Sequence, residues 1–202
     1  MEINLKVNGD PGTGNSFNDT KIRKVDNYNP NAREVNNYYT QSESRLGGWF
    51  RLLNEEVNND IRLQKKLDDI KRYRTKLRHT IGLEAKLADG GFSQSAIDKA
   101  RRLKMYFAKK SMRFQYYESA QRIDIYLFAK LCNRFDTYIL PNIESQPLSK
   151  INQMVYEMVV QPIIDEINAN GSCDRQLCYT EDDIFGMLYY LTGNCHINWK
   201  YY

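Results

Sequence analysis

SAIDKARRLKMYFAKKSMRFQYYESAQRIDIYLFAKLCNRFDTYILP, residues 95–141, contains no Gly or Pro before its final residue. Ile97, Leu103, Phe107, Phe114, Tyr117, Ile123, Leu127, Leu131, Phe135 and Tyr138 recur in it at helical spacings. The pattern predicts one very long amphipathic helix, or two with a kink between them. Ser95 with Asp98 three residues on has the form of a capping box at its start. Pro141 ends it, because a proline forces the residue before it out of the helical region.

Working outward, the same texture continues on both sides. Upstream, Trp49, Leu53, Val57 and Ile61, then Leu63, Leu67, Ile70 and Leu77, form a stripe that breaks at Gly82 and again at 88–91. Downstream, Leu148, Ile151, Val155, Met158, Val159 and Ile163 form another, with Pro162 as a kink or restart and Asn170-Gly171 as its close. Thr180 with Asp183 caps a last short helix through Leu191, with Gly193 as its C-terminal cap. The fold class is therefore mainly α, a helical bundle with long helices.

Residues 1–42 differ. Asn, Gly and Pro are frequent there and poor in helix interiors. Ile3, Leu5 and Val7 alternate with polar residues, a strand-like period. A short Asn/Gly-rich extended or β arm is expected. Three parts follow: the arm (1–42), a basic amphipathic helical region (43–92), and a helical C-terminal domain with a partner-binding role (93–202).

The charge is unevenly distributed. Net charge over the chain is +4, but residues 60–113 hold 16 basic and 6 acidic side chains, while residues 114–202 hold 6 and 11. A basic block of this kind meets nucleic acid or an acidic protein surface, its own chain's included. Lys65, Lys66, Arg72, Arg74, Arg101, Arg102, Lys109 and Lys110 are the candidate nucleic-acid contacts, with DNA or RNA as the ligand. The aromatic residues among them, Tyr73, Tyr106, Phe107 and Phe114, stack on bases or fill a core.

No apolar run approaches the roughly 18 residues of a membrane span, so no membrane partner is expected. The N-terminus lacks a basic segment followed by an apolar one, which speaks against secretion and for the cytoplasm. Cys132, Cys173, Cys178 and Cys195 are then expected as reduced thiols.

Three chemical motifs fail on inspection. Gly9 to Ser16 holds every fixed position of a phosphate-binding loop except the lysine, where Asn15 stands, and no helix opens after it. Residues 159–166 resemble an ATPase's magnesium-binding strand, but their apolar positions continue the helical stripe. Cys173, Cys178, Cys195 and His196 are acceptable zinc donors, yet adjacent Cys195 and His196 share one ion only with strain. His79 and His196 sit in no nucleophile motif. No catalytic residue, metal or cofactor is assigned.

Residues 122–135 (RIDIYLFAKLCNRF), residues 151–167 and above all residues 183–199 (DIFGMLYYLTGNCHINW) resemble a known family. They are similar to the C-terminal domain of ABC-three-component systems, bacterial conflict and anti-phage modules. The phrase GMLYYLTGNCH (186–196) is the specific part; the likeness covers about the last 85 residues, and the Asn-rich opening resembles leaders of similar proteins. The resemblance implies a non-catalytic accessory or adaptor subunit that docks to an ABC/SMC-type ATPase or its middle component. No nuclease, protease or TIR domain is legible upstream, so the basic helices serve an adaptor, an effector or a sensor. Phe185, Met187, Tyr189, Tyr190, Trp199 and Tyr201 are the candidate partner contacts, since large aromatics with polar tips favour interfaces. The alternative is that this segment packs inside the domain. A second copy of the chain is a further candidate partner.

Overall fold

The computed structural model describes residues 43–63, 66–74 and 81–200. The expected arm, Lys65, His79 and Tyr201 lie outside them. The described residues are helical: α1 (Arg45–Asn58), α2 (Asp68–Arg74), α3 (Leu83–Asp89), α4 (Gln94–Arg113), α5 (Glu118–Arg134), α6 (Leu148–Met154), α7 (Gln161–Asn170) and α8 (Glu181–Gly193). No strand occurs among them.

The 95–141 stretch is two helices. It opens two residues earlier than the Ser95–Asp98 pair suggests, because Ser93, in extended conformation, accepts the Ala96 N–H. It breaks at residues 114–117, where Phe114 and Tyr117 are both buried. The side chain of Gln121, itself buried, fills the gap: it donates to Gln115 O (2.9 Å) and accepts the Leu67 N–H (2.8 Å). The Leu63 N–H donates to Tyr116 O (2.7 Å), so Leu63 supplies a bond that the broken helix lacks.

The upstream stripe is likewise divided. Leu46, Phe50 and Leu53 face the core, but α1 stops after Asn58 and Ile61 is exposed. Asp60 takes a positive φ of 51°, a conformation that Asn and Asp tolerate better than other side-chain-bearing residues.

Two of the later prolines, Pro141 and Pro162, follow wide turns. A π-helical turn at Phe135–Ile139 precedes Pro141, and a second at Val155–Val160 precedes Pro162. Proline donates no N–H and its ring crowds the preceding turn, so local widening relieves the ladder without ending the rod at Pro162. Residues 148–170 thus run on with one irregular turn, and Met158 on that turn is exposed rather than in the stripe.

The capping box at Thr180 and Asp183 forms as expected. The far end of α8 differs: Gly193 is its last helical residue, Asn194 is the cap, and Cys195 takes the positive φ of 69°. Gly193 serves close packing instead. A Cβ on Gly186 would stand 2.6 Å from Leu103 O, and one on Gly193 would stand 2.5 Å from Lys104 Nζ. Gly186, whose Cβ would meet α4 backbone, lets α8 lie along α4, while at Gly193 the neighbour is the end of the flexible Lys104 side chain. α5 packs on α1, α2 and α8, and buried residues from Leu46 to Trp199 form one core cluster.

Candidate functional site

A buried polar chain runs through the α4–α5–α8 junction. Asp124, on α5, accepts from Tyr179 Oη (2.6 Å) and from Ser111 Oγ on α4 (2.7 Å). Arg74 at the end of α2 donates to Ser111 Oγ (2.8 Å) and reaches within 3.9 Å of Asp124. Burial pushes the Asp124 carboxyl up from its ordinary value, against the pull of Tyr179, Ser111 and Arg74. Burial likewise pushes the Tyr179 phenol well up. The chain is satisfied throughout, which suits a structural network.

The loop before α8 is anchored beside it. Asp174 accepts the N–H groups of Gln176, Leu177 and Cys178. Lys110 bonds Asp183 (2.6 Å) and Leu177 O (3.1 Å) and lies over the Tyr179 ring. Lys110 and Arg74, both assigned from sequence to nucleic acid, thus face partners inside the chain. Arg101 is tied at the surface to Glu84 and Asp98.

The remaining cations are open. Arg72, Arg102 and Lys109 are exposed and Lys66 is half-buried. Arg102 and Lys109 share the outer face of α4 with Met105, Tyr106 and Met112, which are large, apolar and exposed, and Tyr116 lies just beyond. Tyr106 is 58% and Met112 61% exposed.

The structure places the C-terminal aromatic residues otherwise. Met187 is fully buried and Trp199 is 4% exposed. The Trp199 ring meets Phe92 at 4.9 Å and Phe135 at 5.1 Å, both edge-on, and its Nε1 donates to buried Thr192 Oγ1 (3.1 Å). Packing inside the domain, the alternative weighed from sequence, describes these two residues. Phe185 and Tyr189 are half-buried and stack on each other at 6.3 Å. Tyr190 stacks on Phe128 at 5.9 Å.

Two cavities gather residues that sequence spacing kept apart. One, of about 340 Å³, holds Arg72, Tyr73, Cys132, Asn133, Asp136 and His196. It assembles thiol, imidazole and carboxylate, but Nε2 of His196 is buried without a hydrogen-bond partner and burial pushes the Cys132 thiol up to about 12. Nothing there activates a nucleophile. The other, of about 250 Å³, holds Lys66, Arg74, Ser111, Met112, Gln115 and Tyr190. It joins two residues of the basic set to one of the aromatic set, a meeting of α2, α4 and α8 that only the tertiary fold reveals.

The cysteines sit separately: Cys173 Sγ contacts Gly47 O and Cys195 Sγ contacts Ile81 O. Among the described residues no three His, Cys, Asp or Glu side chains are grouped to hold a metal ion, and no helix is long and apolar enough to cross a membrane.

No curated protein and no solved structure matches the chain. A family model does, over residues 82–199, more than half the chain and the whole run from α3 to Trp199. The buried glycines of α8, its capping box and the Trp199 seat all fall within that span, and by it the chain belongs to the C-terminal domain 9 family of the ABC-three-component systems.

Proposed function

We propose that this chain is a non-catalytic adaptor of a bacterial conflict or anti-phage complex, acting in the cytoplasm and docking to an ABC/SMC-type ATPase or its middle component. Family membership over residues 82–199 supports the setting. The observation that carries the docking role is the outer face of α4, where Met105, Tyr106 and Met112 stand exposed between Arg102 and Lys109. Exposed apolar residues grouped with charge on one face suit a partner surface. The partner-binding domain then runs from α3 onward, with α1 and α2 as its support.

The test is co-expression of the full chain with the ATPase and middle component encoded beside it, followed by size-exclusion chromatography. The adaptor reading expects a stable complex. Elution of the chain apart from both components would overturn it. The second reading, a nucleic-acid-binding module, is favoured by exposed Tyr106 beside Arg102. It requires an affinity for DNA or RNA that falls steeply with salt, because bound cations displace counterions from phosphates.

A further inference from the structure

Lys66 and Arg74 line the cavity of about 250 Å³ between α2, α4 and α8, and among the described residues no carboxylate lines it. Asp124, 3.9 Å from Arg74, lies behind Ser111 and is already held by the Tyr179 and Ser111 hydroxyls. We propose that this cavity is an anion pocket that receives a single carboxylate side chain from an acidic segment of a partner protein. The source of that carboxylate rests on the adaptor reading; the pocket's preference for an anion does not.

Four observations converge on this assignment. First, the two cations differ in use. Arg74 is fixed by Ser111 and only 17% of its side chain is exposed, so its guanidinium is held in place before any ligand arrives. A pre-set planar fork suits a carboxylate and loses little freedom on binding. Lys66 pairs with no carboxylate among the described residues, and it supplies the uncompensated charge. Second, Asp124 stands 3.9 Å from Arg74, beyond hydrogen-bond reach, and its two oxygens already accept from the Tyr179 and Ser111 hydroxyls.

Third, the walls are mixed. Met112 and the Tyr190 ring are apolar, while Gln115 and Ser111 are polar. A Glu or Asp side chain presents the same combination, a short methylene stem and a charged head. The volume falls below the range of drug-sized ligand sites, roughly 300–1,000 Å³, and admits a side chain rather than a nucleotide. Fourth, the pocket opens beside exposed Met112, so a chain docked along the outer face of α4 reaches it directly. A nucleic-acid strand asks for a row of open cations. Along α4, Lys110 is bound to Asp183 and Arg101 to Glu84, so of the four cations assigned on that helix Arg102 and Lys109 stay open, and the recessed pair Lys66 and Arg74 forms a point site apart from them.

The experiment uses the full chain and a fluorescein-labelled peptide of alternating Glu and Leu, read by anisotropy at low salt. Saturable binding is expected, with loss when Gln replaces Glu in the peptide. Lys66→Glu should weaken binding by about tenfold or more, as removal of one charge-assisted contact implies. Arg74→Lys should weaken it too, because an ammonium lacks the fork. Lys150→Glu, exposed on α6 and not among the residues that line the pocket, should change it little. Circular dichroism on each variant keeps folding separate, and Lys66→Glu is the safer variant because Lys66 carries no ion pair among the described residues.

The proposal is overturned if Lys66→Glu binds the peptide as the parent does. It is also overturned if a labelled oligothymidylate binds more tightly than the peptide and loses that binding on Lys66→Glu, which would assign the site to phosphate. The two readings separate cleanly. A complex with the ATPase or middle component that forms equally with Lys66→Glu sinks the pocket and spares the adaptor. Peptide binding without any complex sinks the adaptor and spares the pocket.

Discussion

The C-terminal segment and the outer face of α4 carry similar side chains, and the molecule treats them oppositely. Ile197 and Trp199 follow the last helix, where a chain end could splay outward, yet both are buried. Met105, Tyr106 and Met112 lie on the longest described helix and stay at the surface. Two things decide the difference. The Trp199 seat offers edge-on rings on two sides and a hydroxyl for its indole N–H. The α4 residues lie opposite the face that α8 has already filled, and Gly186 draws α8 so close that this inner face is closed.

The sharpest way to break that comparison is Trp199→Ala. Truncating a buried aromatic costs about 3–5 kcal/mol, a large share of the stability of an ordinary domain. The hydroxyl of Thr192 would keep its bond to Leu188 O but lose the indole. Urea denaturation should therefore show a large fall in midpoint, or a chain that does not fold. A midpoint close to the parent's would mean that the tail is free to leave the core and serve as a docking element.

Much of this was legible beforehand, for identifiable reasons. Helical periodicity found the bundle, and the Thr180–Asp183 box fixed the start of α8, because both signals are local. The division of the 95–141 stretch was not local. It depends on Gln121, Leu63 and Leu67, whose hydrogen bonds cross more than fifty residues of sequence. Charge counting marked Arg74 and Lys110 as surface cations, and their partners Asp124 and Asp183 come from distant helices. Gly193 read as a cap because a glycine at a helix end usually is one; its neighbour Lys104 belongs to another helix.

A smaller effect sharpens the contrast between a closed interior and an open face. Asp124 is buried, with its carboxyl pushed up chiefly by burial. Its folded value then exceeds its unfolded value, so the folded chain holds the proton more firmly. The stability it lends is present below the usual Asp range, about pH 4, and is lost as pH rises through the elevated folded value. Asp124→Asn is neutral throughout. The variant's stability relative to the parent should therefore rise from about pH 4 toward neutrality. Urea midpoints for both chains across that range check it, and a flat or falling difference would contradict the buried-charge account.

The smallest expected effect on stability falls on the outer face of α4, and it is the most informative about function. Met105→Ser, Tyr106→Ser and Met112→Ser remove apolar surface that water already reaches. Changes at such positions stay within about 0.5 kcal/mol of the parent. Serine lowers helix propensity a little relative to methionine, and that is the only folding term in play. If the face binds a partner, the triple variant should keep the parent's circular dichroism and urea midpoint yet fail to join the complex on size-exclusion chromatography. Residues whose removal leaves the fold intact and the assembly broken have their selective reason outside the chain. A triple variant that unfolds would instead place these side chains in the fold's own support. One that still assembles would move the docking surface elsewhere, with the half-buried pair Phe185 and Tyr189 next in turn.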